Sequence, residues 1–302
     1  VTHRLLLDVS SLMYRAHFAM KDAVVSPSGR RVGAVYGYLD MVARILVSRR
    51  PDEIVHAYDH EWRPVARTDL YAGYKSTRPP DPEGLPEQFV MLRQVLDLTG
   101  MPQAQTRGWE AEDAIAALCV EAGPDDLVEI VSGDRDLIQL VRDPVVRLLF
   151  TLRGVTDLLE LDESTVLERY GVPADRYAEF AILRGDPSDD LPGVRGVGEK
   201  TARALIQAYG SLDELLTDAA APEPRAGPLK GKPALRARLR DSVDYVAAMQ
   251  RLVPVNPEPP LDRWSGERDD DDLAAIADEL GLRGPVGRLR AALDAAPAAG
   301  AR

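Results

Sequence analysis

The chain opens on a short apolar run, Arg4–Leu7, that ends in Asp8. Apolar residues then recur at positions 35, 38, 39, 42, 45 and 46, the spacing of one helix face. The stretch EIVHAYD reads as a strand ending in Asp59, residues 86–99 as a helix, and Gln103–Thr106 as a short extended piece. A helix follows in GWEAEDAI; LVEIVSGD is a strand ending at or just before Asp134, and VVRLLFT is a further strand. Strands alternating with helices indicate an α/β architecture: a parallel sheet with helices on its faces. From about Asp162 the pattern changes. ESTVLERYGV, RYAEFAILRG, EKTARALIQAYG and 234–252 all read as helices, with no convincing strand among them. Residues 218–233 have the Ala, Pro and Gly content of a flexible connection, NPEPPLDRW reads as extended, and DDDD (Asp269–Asp272) precedes one more helix. These patterns predict an α/β region over 1–161, a helical region over 162–293 and a frayed Ala-rich tail over 294–302.

A chain of 302 residues, 45% hydrophobic, can bury a sizeable core. Its single cysteine, Cys119, excludes an intramolecular disulfide and fits a reducing compartment. The first apolar run is too short for a signal peptide, and no stretch approaches the ~20 apolar residues of a membrane span. A cytoplasmic protein without a membrane partner is expected. Four scattered histidines and one cysteine give no zinc-ligand spacing. The net charge of −12 argues against a phosphate-binding surface, unless many acids gather at one place and cations neutralise them there.

Such a gathering is what the pattern predicts. Asp8, Asp59 and Asp134 each follow an apolar strand, and in a parallel sheet all carboxyl ends share one edge, where ligands bind. Asp136 lies two residues beyond Asp134. Glu110 and Asp113 are three apart on one helix face with Glu112 beside them, and Asp186 and Asp189 are again three apart. An acid at a helix start is by itself a cap or a macrodipole partner. That does not explain why strand after strand ends in Asp. Nine converging carboxylates would cost several kcal/mol in repulsion and desolvation without cations. Oxygen-only donors suit Mg²⁺ or Mn²⁺, and two such ions ~4 Å apart clamp a phosphodiester undergoing displacement.

Two further stretches suit a nucleic-acid partner. In LPGVRGVGEKTARALI, Gly193, Gly196 and Gly198 allow a tight turn with φ > 0, leave amides open at a helix N-terminus, and are followed by Lys200 and Thr201. YKSTRPP brings Tyr74, Lys75 and Arg78 together, with Arg67 seven residues earlier; Arg15 follows Asp8 closely enough to reach the same edge. Six basic residues also lie between Arg225 and Arg240.

In these residues the chain resembles the 5′ nuclease superfamily, the bacterial 5′–3′ exonucleases and flap endonucleases that include the N-terminal domain of DNA polymerase I. The resemblance covers about residues 4–290 and rests on LLLDVSSLMYRA, AYD, YKSTRPP, GWEAEDAIAAL, VSGDRDLIQLV and RGDPSDDLPGVRGVGEKTA, in the family's order. It implies a PIN-like (resolvase-like) sheet, a helical arch at about 67–90, and a helix–three-turn–helix element at about 185–208. By the same resemblance a first metal site draws on Asp8, Asp59, Glu110, Glu112 and Asp113, and a second on Asp134, Asp136, Asp186 and Asp189. Tyr74, Lys75, Arg78 and Arg15 would serve catalysis, with Tyr74 stacking on a base; Arg67 and the Gly193–Thr201 region would contact DNA, with K⁺ held there by main-chain carbonyls. The implied partners are DNA with 5′ flaps, overhangs or nicks and RNA primers paired to DNA, in replication or repair at the nucleoid. The chain reads as a stand-alone enzyme of actinobacterial composition. It departs from the family pattern at Glu112, where Asp is usual, at Asp190, where Asn is usual, and in HEWRPVARTDL. The rival readings are a DNA-structure binder without catalysis and a PIN-like ribonuclease.

Overall fold

In a computed structural model the described residues are 2–20, 24–152, 154–225 and 227–295. Most of the expected tail, from 296 onward, lies outside them. Seven strands form one sheet: β1 His3–Asp8, β2 Glu53–Tyr58, β3 Gln103–Thr106, β4 Leu127–Ser132, β5 Val146–Thr151, β6 Leu158–Leu161 and β7 Leu261–Trp264. Their order is β6-β5-β4-β1-β2-β3-β7. The five inner strands are parallel, and β6 and β7 close the edges antiparallel. Leu5, Leu6 and Leu7 are fully buried, because helices cover both faces of the sheet, so β1 shows an unbroken apolar run rather than an alternation. After β1 the chain builds outward through β2 and β3, then returns to place β4 on the other side of β1. That reversal opens a crevice at the carboxyl ends of β1 and β4.

The helices are α1 Val9–Met20, α2 Gly33–Arg49, α3 Val65–Leu70, α4 Leu85–Asp97, α5 Ala111–Val120, α6 Glu163–Tyr170, α7 Tyr177–Arg184, α8 Glu199–Ala208, α9 Leu212–Ala220, α10 Pro233–Asp241, α11 Val243–Leu252, α12 Asp270–Leu280 and α13 Arg283–Asp294. One core joins α5 and a sheet face (Leu6, Ala57, Ile115) to the later helices (Phe180, Leu205, Met249). The other face carries α1, α2, α4, α12 and α13 (Leu12, Leu39, Leu92, Leu273, Leu289). Among the described residues no helix is long and apolar enough to cross a membrane.

The end of the chain departs from the expected all-helical region. Residues 261–264 pair with β3, and α12 and α13 pack back on the α/β core through Leu273, Val286 and Leu289. The segment expected as an arch, 67–90, holds the end of the six-residue α3, a run of turns over 72–77, a Pro-rich coil and the start of α4, which packs against α2. Here it is called the strap. If α13 is part of the α/β core, Leu289→Ala, at a fully buried site, should lower unfolding stability by about 2–5 kcal/mol in urea titration. A loss under 1 kcal/mol would mean that α13 is only loosely attached.

Candidate active site

The crevice is a cleft of about 720 Å³, and Asp8, Asp59, Glu110, Glu112 and Asp134 all line it. Asp8 ends β1; its carboxylate accepts from Ser132 Oγ at 2.6 Å and from the Ser11 amide at 3.0 Å. Asp59 follows β2 and accepts from the Ala111 amide at 2.7 Å and from Ser10 Oγ. Asp134 is exposed just beyond β4, its amide on Ser132 Oγ at 2.9 Å. These contacts hold acids from distant elements at one edge.

Behind this floor lies a void of about 10 Å³, room for a single water- or ion-sized body. Asp136, Asp186, Asp189 and again Glu112 line it. Oxygens of Glu112, Asp134 and Asp136 all lie within 4.8 Å of one another. Glu112 therefore faces both chambers. Its side chain is only 11% exposed.

The crowding is visible in the acids' proton affinities. Burial, then the Asp59 charge, raises the Asp8 carboxyl from 3.8 to about 7, against hydrogen bonds from Ser132 and Ser11 that lower it. Burial and the neighbouring Asp134 and Asp189 charges push Asp136 well up. Burial also raises Glu112, although Arg67 opposes it. Asp189 rises to about 6, mainly through burial, with Lys75 opposing. Glu110 is the exception. Burial works against its charge, but Lys75 and Arg67 outweigh that and hold it below its ordinary range. An all-carboxylate set under this strain fits hard divalent cations, which would relieve the repulsion that burial magnifies.

Three expected roles are not what the geometry provides. Asp113 was expected as a ligand, but it is fully buried and absent from both chambers. Oδ1 accepts from Arg67 Nη2 at 2.9 Å and the Asn256 amide at 2.8 Å, and Oδ2 from the Glu110 amide at 3.1 Å. With Glu110 it makes the capping box that starts α5, so the capping role falls to this acid. Arg67 was expected on DNA. It is 2% exposed and lies under the acids, paired with Glu110, with Glu112 at 2.8 Å and with Asp113. Tyr74 was expected to stack on a base. It too is buried, donating from its hydroxyl to Glu110 Oε2 at 2.7 Å, with the Arg67 guanidinium 5.8 Å from its ring centroid.

Lys75 and Arg78 do line the cleft. Lys75 is buried on Glu110, with Asp189 Oδ1 at 3.8 Å; Arg78 is 3.3 Å from the same Asp189 oxygen. Arg15, expected at the same edge, does not line the cleft; it lines a neighbouring pocket and donates to Leu152 O at 3.1 Å. In the loop before α8, Gly193 and Gly196 have φ of +69° and +71°, whereas Gly198 is extended at φ −91° as the N-cap of α8. Gly193 serves a backbone crossing: a Cβ there would meet Gly185 N at 2.5 Å, and its amide donates to Tyr245 Oη at 3.0 Å rather than to a phosphate. Gly196, Gly198 and Lys200 are exposed; Thr201 is half-buried, its amide on Gly198 O.

The 5′-3′ exonuclease N-terminal resolvase-like domain matches residues 3–171, and the 5′-3′ exonuclease C-terminal SAM fold matches residues 172–267. The chain belongs to the 5′-3′ exonuclease family. It is 40% identical over 309 residues to a 5′-3′ exonuclease of Streptomyces coelicolor, covering 96% of this chain and 100% of that one. It is 38% identical over 317 residues to a 5′-3′ exonuclease of Mycobacterium tuberculosis, covering 97% and 98%. The T5 D15 protein, crystallised with metal ions, shares the fold at a TM-score of 0.67 and 19% identity, over 98% of this chain and 100% of that one.

For a chain of this family, several site-shaping residues escaped the sequence pattern. Ser10, Ser11 and Ser132 orient the acids. Asp190, at φ 57°, accepts from the Thr77 amide at 2.7 Å and from its hydroxyl, while Asp189 O accepts from the Lys75 amide at 3.0 Å. These bonds latch the strap to the loop carrying Asp186 and Asp189. The Asp at 190 in place of Asn was the only signal for this latch.

Arg67→Ala should cost about 3–5 kcal/mol in urea denaturation, since it strands three buried carboxylates. A folded variant of unchanged stability with weakened DNA binding would restore the clamp role. The raised acids also set a pH dependence. The folded state holds protons on Asp8 that the unfolded chain releases near pH 3.8, so this stabilisation is complete below about pH 4 and is lost as pH rises through 7. In chelator the Tm should fall over that window. Added Mg²⁺ or Mn²⁺ should raise it more at pH 8 than at pH 5; a pH-independent gain would place the ions elsewhere.

Proposed function

We propose that the chain is a structure-specific 5′ nuclease that hydrolyses DNA phosphodiesters at 5′ ends and flaps. The observation that carries this reading is the pair of adjoining acid chambers sharing Glu112, beside Lys75 and Arg78. We assign one cation, Mg²⁺ or Mn²⁺, to Asp8, Asp59, Glu110, Glu112 and Asp134, and another to Glu112, Asp136, Asp186 and Asp189. Bound there, such ions supply a water of lowered pKa and charge stabilisation for the phosphodiester oxygens. The residues do the rest. Ser132 and Ser11 aim Asp8, and Ser10 and the Ala111 amide aim Asp59. Arg78, 39% exposed, is the cation assigned to an entering phosphate. Lys75, gripped by Glu110, holds the strap's charge inward.

Duplex DNA is assigned to the α7–α8 loop, where exposed Gly196, Gly198 and Lys200 offer amides and charge at a helix N-terminus. Arg238 supports this assignment: a Cβ on Gly196 would lie 2.3 Å from its Nη1, so the guanidinium sits on the loop. K⁺ held by carbonyls of the same loop is part of the proposal. The substrates proposed are 5′ flaps, overhangs and nicks, and RNA primers paired to DNA, acted on at the cytoplasmic nucleoid in replication or repair. A binder without catalysis has no use for two acid chambers, and a PIN-like ribonuclease has none for the helices after α6.

Asp134→Asn should cut flap hydrolysis about 100-fold or more at saturating Mg²⁺ while leaving flap binding in place. Turnover near that of the unaltered enzyme would remove Asp134 from the site, and preferential cleavage of single-stranded RNA over a DNA flap would favour the ribonuclease.

A further inference from the structure

The acid floor accounts for only part of the cleft. Its outer wall is apolar, built from Phe18 on α1, Trp62 on the loop after β2, and Pro79, Pro80 and Pro82 of the strap. Phe18 is 62% exposed and Trp62 49%, although leaving large rings in water is unfavourable.

The Trp62 loop is firmly held. On one side the His60 and Glu61 amides both donate to Trp109 O at 3.1 Å; on the other, Arg63 donates to Tyr74 O and Ala72 O, each at 2.7 Å. Among the described residues no aromatic ring or cation stacks on the Trp62 indole. Phe18 meets His17 edge-on at 5.3 Å between centroids and stays largely in solvent. A pinned loop thus presents an unstacked indole to the acid cleft, and a second exposed ring, Phe18, lines the same cleft.

We propose that Trp62 and Phe18 form an aromatic mouth that stacks on unpaired nucleobases at the 5′ end of a strand entering the cleft. This rests on the nuclease reading of the cleft and names the feature of the substrate that the mouth selects. Phosphates belong at the floor and at Arg78, so the bases of the same strand are left to face the wall. In a duplex those base faces are already stacked on their neighbours; an unpaired base has a face to give. The polar groups beside these rings, the Tyr14 hydroxyl and Asp81, are bonded to each other. Stacking of this kind tolerates any sequence.

The test compares a duplex carrying an unpaired 5′ arm, with 2-aminopurine in the arm, against the same duplex without it. Binding is measured in Ca²⁺ and cleavage in Mg²⁺ and Mn²⁺. Trp62→Ala and Phe18→Ala should each reduce the preference for the armed substrate about tenfold, the equivalent of one lost base stack. Trp62→Phe should keep most of it. Binding of the unaltered enzyme should change the 2-aminopurine fluorescence, and Trp62→Ala should diminish that change. Folded variants, by circular dichroism and Tm, that keep both the armed-to-unarmed ratio and the fluorescence response would overturn the proposal. An unaltered enzyme that cuts neither substrate in either metal would instead sink the nuclease reading, while the fluorescence response would still report on the mouth.

Discussion

Carboxylates brought together at the end of a buried sheet repel one another, and the structure around the cleft is arranged to tolerate that repulsion. Two unit charges 4 Å apart interact by about 4 kcal/mol at an effective dielectric of 20, so several such pairs would rival the stability of a domain. Part of the compensation comes from within the protein. Arg67 and Lys75, both buried residues of the strap, neutralise Glu110. Asp113 is drawn into the α5 cap and Arg67. Asp8, Asp59, Asp134, Asp136 and Asp186 pair with neither Arg67 nor Lys75, and they face the two chambers together with Glu110, Glu112 and Asp189, which do. Asp113 alone among the nine is withdrawn from both chambers.

The same constraint explains a strongly acidic chain with a DNA-processing fold. The net charge of −12 does not describe the cleft as a strand would meet it, because divalent cations would reverse the local sign there. The strap keeps its basic residues close to the acids. Arg78 is held by Asp189, and Lys75 by Glu110 and Asp189. Cations in the chambers would compete for those carboxylates and free the strap's charge for phosphate.

The sequence was most informative where burial leaves a simple mark. RLLLD carries an unbroken apolar run, and EIVHAY and LVEIV are interrupted only by the buried His56 and Glu129, because both faces of the inner strands are covered; Asp8 ends β1, and Asp59 and Asp134 follow β2 and β4 within two residues, which puts all three at one sheet edge by topology alone. β7 left no such mark. LDRW is an edge strand, short, charged and only partly buried, and its partner β3 lies some 155 residues earlier, a pairing no local pattern encodes. Depth was equally hidden. Arg67 and Tyr74 read as surface groups of a basic strip because sequence shows charge and aromaticity, not the partners that bury them; Glu110, Glu112 and Asp113 lie 36 to 46 positions away. In GWEAEDAI the cap and the ligand readings were both available. Each suits a different acid: Asp113 closes the capping box, Glu112 points into both chambers, and Glu110 does some of each.

The inner chamber ties the two halves of the molecule to one another. Glu112 and Asp136 come from the α/β half, Asp186 and Asp189 from the loop between α7 and α8, and neither pair alone encloses the void. That loop is shaped by the close crossing at Gly185 and Gly193, whose backbones leave no room for a side chain. Its other end carries the exposed amides of Gly196 and Gly198, assigned above to duplex DNA as a proposal. The strap is fastened to it through Thr77 on Asp190 and the Lys75 amide on Asp189. A shift of the loop on binding duplex would therefore move Asp186, Asp189 and the strap together. On the proposed assignment, grip on the duplex would bear in this way on the register of the acids at the cleft.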